Sequence, residues 1–268
     1  MYSGTTLHGK SGNLIGAHQK FDRVARRCIA QLRPDSSFPA SKLILHFEGN
    51  NGPDGIKRKS PGVDEPWHYW DPTDDEDHKL LGIIRLHLDG LTEQLRVGNE
   101  EKAAFEAAWL AHAIVDGLTP PHHYPYEEKL LELRGEGLET RNSIRNKIVI
   151  QGDTKRQTLS KNWKMWGAKG LMMSHASFEW GVSTVVVPMR LTRKACPLNA
   201  DIRHARNVGF EKYIREHALA IYELNMYERF LRYGWTAKLG REIRIELGPR
   251  IANCITVAWA LAVDEANS

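Results

Sequence analysis

Residues 100–121 read EEKAAFEAAWLAHAIVDGLTPP. The run from Glu100 to Asp116 is rich in alanine and contains neither glycine nor proline, so nothing interrupts a helix there. Gly117, followed by Pro120-Pro121, supplies the punctuation at which a helix stops. A helix over 100–116 is the firmest element of the chain, and it places His112 and Asp116, four residues apart, on one face. Ala107, Ala108, Ala111 and Val115 surround His112 with apolar neighbours, so the imidazole points inward. An inward imidazole beside an inward carboxylate needs a partner.

Outward from that helix the chain stays helical. Residues 14–32 set Leu14, His18, Phe21, Ala25, Cys28 and Leu32 at steps of three and four, which puts a second histidine in a buried stripe. Over residues 36–72 the text changes to Gly, Pro, Asn and Asp, and a long ordered loop is expected there. Helical period resumes over 77–97, behind an acidic run at 71–77 whose charges suit a helix N-terminus. Further helices are predicted over 126–133, over 203–233 as one long amphipathic element, and over 251–263. Residues 182–187 read locally as strand, being crowded with Val, Ser and Thr, but no second strand of comparable length pairs with them. The prediction is an all-α fold, a single-domain multi-helix bundle spanning residues 1–268.

Composition sets the outer limits. In 268 residues, 37 Lys+Arg stand against 33 Asp+Glu for a net charge of +4, and 41% apolar content with eight Trp excludes a disordered chain. Cys28, Cys196 and Cys254 follow no pattern, so neither a disulfide scaffold, a zinc ribbon nor a redox pair is expected. No stretch of eighteen apolar residues exists to span a membrane. Residues 1–20 lack the continuous apolar run of a signal peptide, which makes the cytoplasm the default expectation.

Histidine is where function is legible. His122 stands six residues past Asp116, delivered by the rigid Pro120-Pro121 turn, and His175 with Glu179 repeats the spacing of His112 with Asp116. Two such pairs suggest two adjacent metals, with zinc preferred because imidazole nitrogen plus carboxylate oxygen is its usual ligand set. Calcium would want more oxygens. In order and spacing, His18, Asp54, His68 within His68-Tyr69-Trp70-Asp71-Pro72, His112, Asp116, His122, His175 and Glu179 resemble the zinc-dependent phospholipase C family and its relatives, the zinc-dependent single-strand nucleases. The resemblance covers residues 18–179. It implies a metal cleft in a helical bundle holding two or three Zn2+: one held by His68, His112 and Asp116, one by His122, His175 and Glu179, and a third where His18 joins Asp116. Asp54 is implied as the general base or as the group that orients the attacking water. The family completes its third zinc with the backbone amine and carbonyl of an N-terminal tryptophan. Here the first tryptophan is Trp67, and His8, in a Gly-flanked segment, is either a substitute ligand or an exposed histidine.

The implied activity is zinc-dependent phosphodiester hydrolysis of phospholipase C type. A single-strand nuclease and a catalytically silent, metal-stabilised module that binds anionic partners are the alternatives. The 52 residues between His122 and His175 exceed the phospholipase pattern, which defines a basic insertion at about 124–174. Residues 141–170 carry a net charge of +7, more than the excess of the whole chain. Trp163 and Trp166, three apart among lysines, suit stacking on single-stranded nucleic acid, peripheral seating on a phospholipid surface, or a core. His46, His78, His87, His123, His204 and His217 are expected to be satisfied or exposed, with His123 competing with His122 as a ligand.

Overall fold

The computed structural model describes residues 4–7, 10–61, 67–191 and 196–268. His8 lies outside them. At the centre runs α5 (Glu100–Gly117), whose N-terminus is capped by Asn99 accepting from the Lys102 N–H at 3.1 Å. The alanines that make α5 a strong helix also keep it slim, so neighbouring helices approach its axis closely. Helix α4 (Lys79–Arg96) and helix α14 (Gly248–Ala266) pack along it, and α1 (Ala17–Leu32) lies across α14 and α5. Trp259 of α14 is fully buried and donates its indole N–H to the Ala107 carbonyl at 3.2 Å.

The all-α reading stands apart from one short antiparallel hairpin, β1 (Gly4–Leu7) with β2 (Lys10–Ile15). Leu14 therefore belongs to β2, and the helix carrying His18 starts at Ala17. The expected long loop over 36–72 instead contains two short helices, α2 (Ser41–His46) and α3 (Pro53–Lys59). Neither is long enough to show a period, and both are held by packing. Gly55 is required where α3 starts: a Cβ there would lie 2.0 Å from the Asn50 carbonyl oxygen. That close approach fixes the position of Asp54.

Residues 182–187 are not strand; they lie at the end of helix α9 (Leu171–Val186), with Val187 as its cap. Val182 and Val186 are fully buried one turn apart, so burial of a helical face overrides local β-propensity. The predicted helix over 203–233 is three: α10 (Asn199–Val208), α11 (Phe210–Tyr222) and α12 (Met226–Tyr233), with α13 (Ala237–Glu242) following. The breaks fall at Gly209, with φ +87°, and at Asn225, with φ +48°; neither conformation can continue a right-handed helix.

The cysteines also differ from expectation. Cys28 on α1 is bonded to Cys196 just before α10, with the Cα atoms 5.4 Å apart, and Cys254 is free and buried. No described helix is long and apolar enough to cross a membrane.

Residues 124–174 fold as α6 (Tyr126–Arg134), α7 (Ile144–Ile148), α8 (Lys155–Trp166) and the start of α9. These pieces are latched: Lys147 donates to the Lys57 carbonyl of α3 at 2.5 Å, and the Trp166 indole donates to the Ile148 carbonyl at 2.7 Å. Trp163 is 70% exposed and Trp166 38%, so neither is a core residue.

Candidate metal centre

Six elements deliver the histidines and carboxylates to one place. His18 comes from α1, Asp54 from the first turn of α3, and His68 from the segment before α4. His112 and Asp116 lie on α5, His122 on the turn Pro120–His123, and His175 and Glu179 on α9. The Trp70 N–H donates to the His122 carbonyl at 3.1 Å, tying the His68 segment to that turn.

Asp116 stands between three imidazoles. Its carboxylate lies 3.4 Å from His112 Nε2, 3.6 Å from His18 Nε2 and 3.6 Å from His122 Nδ1. On one side, His122 Nε2 and His175 Nε2 face each other at 3.2 Å, and Glu179 Oε1 lies 3.0 and 2.8 Å from them. On the other, the His18 and His112 rings lie 4.2 Å apart between centroids, and Asp54 Oδ1 is 3.8 Å from His112 Nε2. Among the described residues, two groups bring their ligand atoms close enough to share an ion: His122, His175 and Glu179, and His18, Glu48 and His112.

Glu48 was not anticipated. It is fully buried and accepts from His112 Nδ1 at 2.8 Å and from the Gly49 N–H at 3.2 Å. A carboxylate on Nδ1 fixes the imidazole so that Nε2 faces Asp116 and Asp54, an arrangement typical of metal-ligating histidines. Nothing in spacing marks Glu48, because it reaches His112 from 64 positions away. Asp22 also escaped notice, although it repeats the His-x3-carboxylate spacing with His18; it is buried and neither carboxylate oxygen has a hydrogen-bond partner among the described residues. Burial raises both the Asp22 and the Glu48 carboxyls above the ordinary range, with repulsion from Glu48 adding to it at Asp22 and repulsion from Asp54 at Glu48.

His68 is in neither group. Its Nε2 lies 2.7 Å from Lys57 Nζ, and its ring is 5.2 Å from that of His122. Of the remaining histidines, His87 pairs with Glu106 at 2.7 Å and His204 with Glu216 at 2.9 Å, while His123 Nε2 meets the Gly117 carbonyl at 2.8 Å.

The charges are complementary to a cation. Burial pushes Asp116 upward, but the imidazoles of His122 and His112 beside it hold its carboxyl well below the usual range, and at Glu179, also buried, the imidazoles of His175 and His122 act in the same downward direction. Burial lowers His18 and His175, keeping them as neutral donors at neutral pH. Both ring nitrogens of His18 are buried without a hydrogen-bond partner among the described residues, a costly state for a protein interior. Neutral imidazoles and ionised carboxylates converging on unsatisfied buried nitrogens fit a divalent transition-metal ion such as zinc.

Burial also brings His123 and His217 down to about 4. As the pH falls from about 6.5 to about 4, the unfolded chain takes up protons at these positions that the folded chain refuses, so stability declines with falling pH across that window. His112, raised by Glu48 and Asp116 against its burial, acts in the opposite direction as pH rises above 6.5. Urea midpoints should therefore be lower at pH 5 than at pH 7, and His123→Gln should flatten that dependence. A midpoint that does not move from pH 7 to pH 5 would contradict the burial argument.

No protein-family model matches this sequence, and no curated protein matches it. In fold, the all-helical bundle is similar to Clostridium perfringens alpha-toxin isolated from an avian strain, with a TM-score of 0.60 over 99% of this chain. The identity is 13%, so the likeness is one of fold, and this chain spans 66% of the length of that one.

Proposed function

We propose that the protein is a zinc-dependent phosphodiester hydrolase of phospholipase C type. The observation that carries this reading is Asp116, a buried carboxylate 3.4 to 3.6 Å from three imidazoles, flanked by two groups of metal-competent donors. His122, His175 and Glu179 would hold one ion; His18 and His112, with Asp116 and with Glu48 behind His112, would hold another; and His68 stands ready at the rim. Zinc, when bound there, supplies positive charge opposite the phosphoryl oxygens and acidifies a nearby water. Closely set carboxylates and imidazoles without an ion would make an expensive interior, which is why a purely structural role for these residues is the poorer account.

The chain's own chemistry centres on Asp54. It lines a cavity of about 540 Å³ together with His68, His112 and Asp116, and its side chain is 30% exposed, so a water can reach it. Asp54 takes a proton from the water that attacks phosphorus. The bond from phosphorus to the alcohol oxygen breaks, and the proton passes to that alcohol as it leaves. The products are a phosphomonoester and a free alcohol. Peripheral contact with a phospholipid surface through Trp163 and Trp166, which stand exposed on the lysine-bearing helix α8, belongs to the same reading. The Cys28–Cys196 bond supports action in an oxidising compartment, since such bonds do not persist in a reducing cytosol.

Asp54→Asn tests the assignment because it removes a base without removing an imidazole. The variant should keep wild-type zinc content by elemental analysis while hydrolysis of bis(4-nitrophenyl) phosphate falls about 10²–10⁴-fold, the usual contribution of a general base. Wild-type protein that shows no metal-dependent turnover of this diester, or of single-stranded DNA, would leave the catalytically silent module as the surviving account. Turnover of single-stranded DNA but not of phospholipid vesicles would move the protein to the nuclease branch.

A further inference from the structure

Gly90 stands in the interior of helix α4, where no left-handed conformation is needed. A glycine there weakens the helix, so its presence calls for a packing reason. The reason is Glu106 of α5: a Cβ at position 90 would lie 2.8 Å from its carboxyl carbon. His87 and Gly90, three apart on α4, face α5, and Glu106 and Trp109, three apart on α5, face α4. In the room left at Gly90, Glu106 reaches across, and its Oε2 lies 2.7 Å from His87 Nδ1. The rings of Phe105 and Trp109 flank the imidazole at 6.2 and 5.5 Å between centroids. One ring nitrogen is left over. His87 Nε2 has no hydrogen-bond partner among the described residues, and the side chain keeps 10% of its surface exposed. His87 lines the same cavity of about 540 Å³ as Asp54, His112 and Asp116, with Trp109, Ile83 and Leu86 beside it. The metal centre uses none of these four residues.

Resting on the phosphodiesterase reading above, we propose that this end of the cavity holds the hydroxylated ring of a cyclic polyol or hexose whose phosphate lies at the metal centre, and that His87 Nε2 selects it by hydrogen-bonding a ring hydroxyl. His87 is then a specificity-determining residue, with Glu106 as the group that positions it. A carboxylate on Nδ1 fixes the plane of the imidazole, so Nε2 is presented in one direction. A hydroxyl both donates and accepts, and it therefore pairs with Nε2 in either protonation state of the ring. Charged groups fit this end less well. A second phosphate would face the Glu106 carboxylate, and a quaternary ammonium has no hydrogen to offer Nε2 and would share the cavity with Lys57. One face of Trp67, the other indole in the cavity wall, already carries Lys79 Nζ at 4.1 Å from its centroid, so that face is closed to a further cation. Trp109, Ile83 and Leu86 supply an apolar wall for the C–H side of the ring. An apolar lining with a few fixed polar groups is how small-ligand sites set orientation and specificity.

The test is calorimetric titration of the full-length protein, with zinc present, using phosphomonoesters that share a six-membered ring. Cyclohexyl phosphate has no ring hydroxyls; myo-inositol 1-phosphate and α-D-glucose 1-phosphate carry them and tell a cyclic polyol from a hexose. The wild type should bind at least one of the hydroxylated esters about tenfold more tightly than cyclohexyl phosphate, the size of one well-placed hydrogen bond. His87→Phe keeps a flat ring and removes both nitrogens, so it should bring that ratio close to one. Gly90→Ala is the second variant, and it touches no ligand. Its Cβ displaces the flexible end of Glu106 and so frees His87, while alanine is the better helix former and the melting temperature should not fall. The ratio should drop there too, which a merely structural His87 would not cause. A wild-type ratio near one, or a ratio unchanged in both variants, would overturn the proposal. So would tighter binding of phosphocholine or of thymidine 5′-phosphate than of either hydroxylated ester. The diester assay above separates the two readings, since selective binding by a protein that cannot hydrolyse bis(4-nitrophenyl) phosphate defeats the enzyme and keeps the subsite. Turnover of that diester with a ratio near one does the reverse.

Discussion

Asp116→Asn should lose metal and activity together. The carboxylate is buried and lies within 3.6 Å of His18, His112 and His122, so it serves both sides of the centre at once. Replacing it by an amide keeps the shape and removes the charge that opposes the cation and the imidazoles. Removing one partner from a buried charged cluster costs about 3–5 kcal/mol, which corresponds to roughly a 10²–10⁴-fold loss of affinity. After dialysis the variant should contain at least one zinc fewer per chain than the wild type. The melting temperature of the wild type should drop on chelation, because bound metal contributes to folding free energy, and that drop should shrink in the variant. Full zinc content in Asp116→Asn, with an unchanged response to chelator, would remove the shared-carboxylate account. Asp54→Asn is the contrasting case, since it leaves all the imidazoles their charge partner and should cost turnover alone.

Reduction of the Cys28–Cys196 bond should lower the stability of the protein markedly. The bond closes a loop across a sequence separation of 168 residues and joins α1, which carries His18, to the segment leading into α10. Restricting so long a loop in the unfolded chain is worth about 4 kcal/mol. For a chain of this size each kcal/mol moves the melting temperature by roughly 2–4 °C, so a fall of about 8–16 °C is expected on reduction. Cys196→Ser should reproduce it and should make the protein insensitive to reductant. Cys28 is nearly fully buried, which makes Cys28→Ser a worse comparison because it also buries an added hydroxyl. An oxidised protein whose melting temperature does not change with reductant would show that the bond constrains nothing. Reduction should also loosen α1, so zinc retention by the reduced protein is a second readout of the same link.

The sequence alone determined the helical class, because the signals for it are local. In α5, alanine content, the Asn99 cap and the stop at Gly117 and Pro120-Pro121 lie within one stretch, and α4 shows its period and α14 its apolar run in a single pass. The pairs His112–Asp116 and His175–Glu179 were legible for the same reason: one helical turn converts a spacing of four into a shared face. That the two pairs meet at His122 followed only from a resemblance in their order along the chain. Short-range reading erred where a tertiary contact outweighs a local preference. Helices α2 and α3 are too short to repeat, and the valines of residues 182–187 take helical geometry because burying Val182 and Val186 on one face is worth more than their β-propensity. Likewise, one left-handed residue, Asn225, is invisible to a hydrophobic period that runs straight past it.

Tertiary structure alone decided which distant groups become neighbours. Glu48 meets His112 across 64 positions, Cys28 meets Cys196 across 168, and Lys57 is set against His68 by the packing of α3. The joining of α3, α7 and α8 is of the same kind: they share no period, and Lys147 and Trp166 tie them together only in the folded chain. Periodicity records which residues share a face of one element. Which faces meet is set by the joint burial of all of them, and that quantity belongs to the folded chain as a whole.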